Sequence, residues 1–170
     1  DWSSDVCSSD LKLAPELLAE LLRSPPSDRS VVLGPAPGRD VAVVDAGGDG
    51  YLLLTSDPVT FATDQIGLYA VTVNVNDIAT AGGEPRWLLA TVLLPQDRST
   101  ADLARDIQAQ LERACEENGI ALVGGHTEVT PALDRPVVVG ALVGEVGRKG
   151  LVRNDGGRPG DAVLLTRGAA

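Results

Sequence analysis

Apolar and polar positions along this chain switch between a helical and an alternating period, and the switches outline its elements. Leu17, Leu18, Leu21 and Leu22 recur at helical spacing behind Pro15 and Glu16. That predicts a short helix through Arg23, ended by SPPSD at 24–28. Residues 40–46 (DVAVVDA) read as a strand, GGDG as a hairpin turn and 51–56 as the returning strand. Residues 64–81 form a second helix, with Asp64 placed to cap it and Gly82 to end it. Residues 86–94 are a strand. Residues 99–118 are amphipathic, with Leu103, Ile107, Leu111, Ala114 and Cys115 on one stripe and Asn118-Gly119 as the stop. A short apolar run, 120–123, leads into a glycine-rich loop. Residues 136–146 are a long apolar strand, and 161–166 begin another. The fold class is therefore α+β, a mixed sheet with helices packed against it.

Composition narrows the function classes. With 44% hydrophobic residues but only 3% aromatics, the core must be built from Val, Leu, Ile and Ala. The 24 acidic residues against 14 basic ones give a net charge of −10. This argues against a nucleic-acid partner, which calls for a basic stripe. No apolar run approaches the ~20 residues of a membrane span, so a cytoplasmic location is expected. Cys7 and Cys115 stand far apart, which suggests no disulfide framework. Cys115 reads as a small buried hydrophobe on its helix stripe. Residues 1–11 (DWSSDVCSSDL) are unpatterned and unlike the rest of the chain, and they are read as non-native or disordered.

Candidate chemistry begins at VGGHTEVTP, 123–131. Paired glycines let backbone N–H groups approach an anion, because no Cβ blocks the way. A Gly-Gly turn between two strands is the commoner reading. Three aspartates give the anion reading weight. At about 100° per residue, Asp77 shares a helix face with Ile66, Ala70, Val73 and Thr80. The opposite face carries Leu68, Val71, Val75 and Ile78, so the helix reads as buried on two sides. A carboxylate there costs several kcal/mol (roughly) unless it is paired or metal-bound. Asp57 ends an apolar strand before Pro58, and Asp40 opens one. Each has a bland alternative as a cap, turn or strand-entry residue. Together with the glycine loop they suit Mg²⁺ and a polyphosphate, since Mg²⁺ takes a few carboxylates plus water and phosphate oxygens. Neither a P-loop nor a dinucleotide fingerprint is present. A single histidine, His126, excludes a paired-histidine zinc motif, and it reads as a turn residue rather than a catalyst.

In order, GRDVAVVD, LLLTSDP, VNDIATAGGEPRW, LLP and GGHTEVTP resemble the N-terminal half of the aminoimidazole ribonucleotide synthetase superfamily. That group includes purine-pathway synthetases, selenophosphate synthetase, thiamine-monophosphate kinase and the hydrogenase-maturation dehydratase HypE. TSDPVTFATDQIG and GGHTEVTPALDRPVVVGALVGEV are most similar to AIR-synthase-related members of unassigned substrate. The resemblance implies a PurM-like N-terminal ATP-binding domain over 12–155 and the start of a C-terminal α/β domain at 156–170. It implies that Asp40, Asp57, Asp77 and Glu128 hold Mg²⁺, and that Asn76, Gly124, Gly125, His126 and Thr127 lie at the nucleotide. It further implies a homodimer whose sheets close a barrel, with ATP between the barrel and the partner subunit. The expected chemistry is ATP-dependent phosphorylation of an amide- or acid-type oxygen on an acceptor substrate that the sequence does not identify, with a maturation protein as a further partner.

Two departures qualify this. Arg39 stands where the family has its first acidic residue, which either weakens metal affinity or pairs with a phosphate. The family's terminal modified cysteine matches neither Cys7 nor Cys115, and the chain is expected to be an inactive fragment of an enzyme. The alternatives are a kinase of the thiamine-monophosphate type, whose glycine segment GGHTEV does not match, and a non-catalytic nucleotide-sensing dimerisation module.

Overall fold

The computed structural model describes residues 12–24, 26–62 and 64–164. Its elements run α1 (Pro15–Leu21), β1 (Val31–Leu33), β2 (Ala42–Val44), β3 (Gly50–Val59), α2 (Ile66–Thr80), β4 (Glu84–Pro95), α3 (Ala101–Glu117), β5 (Ala121–Thr130) and β6 (Val137–Gly147). The six strands form one mixed sheet in the order β1-β2-β3-β6-β4-β5. The hairpin β2–β3 is antiparallel with Val43 opposite Leu53, as GGDG suggested. β4 and β5 are parallel, joined by α3 as a crossover. The expected class, α+β with a mixed sheet, stands.

One face of the sheet is packed and the other is open. On the packed face, Leu53, Val59, Leu88, Val138 and Leu142 meet Ile66, Ala70, Val71 and Ile78 of α2, and all are buried. Each such aliphatic side chain contributes roughly 1.5–3 kcal/mol. α3 turns Ile107, Leu111, Ala114 and Cys115 into the same core. Burial pushes the Cys115 thiol up from its ordinary value, in keeping with a plain core residue. Thr100 caps α3 by accepting from the Leu103 N–H at 3.1 Å. The opposite face leaves Leu54, Trp87, Leu89 and Val123 exposed.

Four local expectations are corrected. α2 starts at Ile66 behind Gln65 in the left-handed conformation and has no side-chain cap, so Asp64 does not cap it. Nor is α2 buried on two equal sides. Its buried stripe is Ile66, Ala70, Asn74 and Ile78, while Val73, Val75 and Asp77 flank it half-buried. The glycine-rich loop is a strand: Gly124 to Thr130 continue β5 as its partners Leu89 to Pro95 continue β4. The strand passes through Gly124 and Gly125 at φ of 154° and 149°, which a residue with a Cβ rarely adopts. Residues 161–164 carry no strand, and the rest of that expected element lies outside the described residues, as do residues 1–11. Val31–Leu33 is an additional strand, too short for alternation to reveal.

Candidate functional site

Two groups of polar residues stand out, separated by β6 and β4 in the strand order. The first is acidic and built on β2, β3 and α2. Alternation along β3 turns Leu53, Thr55, Asp57 and Val59 toward α2. There Thr55 Oγ1 donates to Asp77 Oδ2 at 2.7 Å. In the other direction, Asn74 of α2 accepts from the Asp57 backbone N–H at 3.2 Å and donates to the Ala70 carbonyl at 2.8 Å. Asn74 is completely buried; with Thr55 it makes up the buried polar residues of the described core. Burial pushes the Asp77 carboxyl above its ordinary range; the Thr55 bond opposes this, and the charges of Asp57 and Asp40 reinforce it. The three aspartates therefore share one electrostatic neighbourhood.

Arg39 does not neutralise them. Its guanidinium donates to the Gly34 carbonyl at 2.7 Å and lies 3.7 Å from Asp155, while its Nε is buried without a partner. Asn154 also donates to the Gly38 carbonyl, so residues leaving β6 are tied across the turn that carries Asp40. Asp40 itself is exposed, at a hollow shared with Arg39, Thr80 and Asn154.

The second group lies on β5. Gly125 and Thr127 pair with Ala90 and Val92, which face the helices, so they share that face beside Gln108 and Glu112. A Cβ on Gly125 would overlap the Ala90 carbonyl, so only glycine fits there. His126 and Glu128 project from the open face and meet at 3.1 Å, both well exposed. β6 and β4 separate β5 from β3. At ~4.8 Å per strand, that is about 14 Å within one chain.

Two expected metal ligands, Asp57 and Asp77, are thus brought together with Asp40 nearby, while Glu128 stands apart from them. Among the described residues, no three His, Cys, Asp or Glu side chains converge closely enough to hold an ion alone. A hard-oxygen donor set of two or three carboxylates without a neutralising cation still suits Mg²⁺, which draws its other ligands from water and phosphate. Asn76 is exposed, whereas Asn74, not singled out in the sequence, is the asparagine that reaches an aspartate. Its signal was there: it falls on the stripe of Ile66, Ala70 and Ile78, where a polar residue needs a partner.

Known proteins share this architecture. The family model described as AIR synthase related protein, N-terminal domain, matches residues 38–146. A selenide, water dikinase of Sulfurovum sp. (strain NBC37-1) is 31% identical over 162 residues, 92% of this chain and 46% of that protein. The chain thus spans about half the length of the curated relatives it matches. Among solved structures, AaThiL complexed with AMPPCP and TMP superposes with a TM-score of 0.64 at 28% identity, covering 84% of this chain and 43% of that one. The hydrogenase maturation protein HypE in complex with ATP gives 0.58 at 26%, covering 79% and 40%.

Proposed function

From the premise that the chain belongs to the AIR synthase related family, through its N-terminal domain, we propose that it forms the Mg²⁺–ATP half of an enzyme that phosphorylates an oxygen of a small acceptor. The observation that carries this reading is the like-charge pair Asp57 and Asp77, held by Asn74 and Thr55 with no cation paired to it among the described residues. A partly buried pair of that kind is unfavourable in the empty protein and favourable beside a divalent ion. HypE in complex with ATP, among the solved structures, supports the nucleotide.

Asp57 and Asp77 would hold Mg²⁺ from β3 and α2, with Asp40 in the same neighbourhood. When bound, the ion draws charge from the phosphate oxygens and so eases transfer of the terminal phosphoryl group. Thr55 keeps the Asp77 carboxylate turned toward β3 rather than into solvent. Thr127 offers a hydroxyl to phosphate oxygens, on an edge strand whose outer backbone groups are unpaired in the sheet. Because β5 lies about 14 Å from β3, the two groups serve one nucleotide most readily if a second copy supplies one of them. The open sheet face, with Leu54, Trp87 and Leu89 exposed, supports such a homodimer closed into a barrel.

A second reading, a small-molecule kinase, is favoured by the AaThiL complex, whose structure holds TMP beside AMPPCP. Calorimetric titration of Mg·ATP into the chain tests the shared core of both readings. Binding that needs Mg²⁺ is expected, and binding unaffected by EDTA would refute it. Screening acceptors with the extended gene product then separates the two.

A further inference from the structure

We propose that Asn74 is a positioning residue for Asp57, setting the backbone of the Mg²⁺ site from inside the core. The proposal deepens the reading of Asp57 and Asp77 as Mg²⁺ ligands and rests on it.

A completely buried amide in an otherwise aliphatic stripe is a costly residue unless both its ends are bonded. Here both are. Nδ2 donates to Ala70 one turn back along α2, which fixes the amide plane, and Oδ1 then points at the Asp57 N–H. Asp57 is in register with Gly140 of β6, and Gly140 is where the amide passes. Any Cβ at Gly140 would press into Asn74 Nδ2 and against the Ala70 carbonyl. Three elements are thereby fitted around one hydrogen bond to the residue that presents the carboxylate. Thr55 and Asp77 make the reciprocal contact, strand side chain to helix side chain, so the two carboxylates are set by crossed bonds between β3 and α2. Helix stability alone does not call for this amide; what a leucine there would leave unpaired is the Asp57 N–H. Its acceptor has one use outside α2, and that is Asp57.

Asn74→Leu removes the acceptor while keeping the number of side-chain heavy atoms, and Gly140→Ala displaces the amide while keeping every hydrogen-bonding atom. The readout is the Mg²⁺ concentration that half-saturates binding of mant-ATP to the full chain, with Tm measured in parallel. Both variants are expected to raise that concentration about tenfold, the scale of outer-shell partners of a metal site. Asn74→Leu should add nothing further in an Asp57→Asn background, as expected of residues acting through one contact. A lower Tm with the half-saturating Mg²⁺ unchanged within twofold in Gly140→Ala would overturn the proposal and leave Asn74 a structural residue. Should Asn74→Leu fail to fold, Gly140→Ala decides between the two roles. An unchanged Mg²⁺ requirement in Asp57→Asn itself would instead overturn the underlying site assignment.

Discussion

Thr55 Oγ1 and Asp77 Oδ2 meet at 2.7 Å between the middle of β3 and the last turns of α2. The contact spans 22 residues of sequence and joins a buried hydroxyl to a half-buried carboxylate. It stabilises the charged form of Asp77, yet burial outweighs it and keeps the carboxyl above its ordinary value of 3.8. The fold tolerates a poorly solvated negative charge at this point, with Asp57 and Asp40 adding to the strain.

A pH dependence arises from that raised carboxyl. The folded chain holds the Asp77 proton more tightly than the unfolded chain does. Stability is therefore lost as pH rises from 3.8 through the raised value, and it is not regained above it. Asp77→Asn removes this loss and keeps an oxygen to accept the Thr55 bond. In EDTA, the variant's Tm should draw ahead of the original chain's as pH rises through that window. Thermal unfolding monitored by circular dichroism from pH 3.5 to 8 checks this; parallel curves would contradict it.

Gly125 gives a sharper structural test. With a Cβ overlapping the Ala90 carbonyl, Gly125→Ala must push β5 away from β4. A loss of about 2 kcal/mol or more is expected in urea unfolding, against about 0.5 kcal/mol for an ordinary surface substitution. Gly119, whose Cβ would meet nothing, is the control for positive-φ strain alone.

Arg39 is a tether in this fold, bonded to the Gly34 carbonyl and close to Asp155. Arg39→Ala should lower stability by about 1–2 kcal/mol through its bonds to Gly34 and Asp155. It should leave Mg·ATP affinity within twofold, whereas Asp40→Asn should weaken it about tenfold. Comparing the two variants in one calorimetric series decides the point. A larger affinity loss in Arg39→Ala would place the guanidinium at the phosphates.

The open sheet face carries the prediction on assembly. Leu54, Val143 and Trp87 lie in one cross-strand row, with Leu54 and Trp87 exposed. Trp87→Glu places a charge in the centre of that face. Light scattering at micromolar concentration should show a dimer for the original chain and a monomer for the variant. Equal masses would contradict closure through this face.

Long periodic segments are legible in the sequence, and residues whose role is to touch another element are not. Ile107, Leu111, Ala114 and Cys115 declare α3 by spacing alone, and GGDG declares the hairpin. Asp57 and Asp77 stand out as carboxylates in apolar surroundings and Asn74 as an amide on an apolar stripe, but the contacts that Thr55 and Asn74 make do not. Their importance comes from a crossing of β3 and α2 that no local pattern encodes. The sequence suggests glycines 124–125 as a loop open to an anion; they lie in a strand instead, and it is Gly125 whose Cβ position is blocked by close backbone approach. The approaching group is Ala90 of the neighbouring strand, which only the parallel register reveals.

The most direct test of the metal–nucleotide site is calorimetric titration of Mg·ATP into the original chain and into Asp77→Asn, with and without EDTA. Mg²⁺-dependent binding is expected in the original chain, and affinity at least about tenfold weaker in Asp77→Asn. Equal affinity in the two proteins, or binding indifferent to EDTA, would contradict a Mg²⁺ site at Asp57 and Asp77.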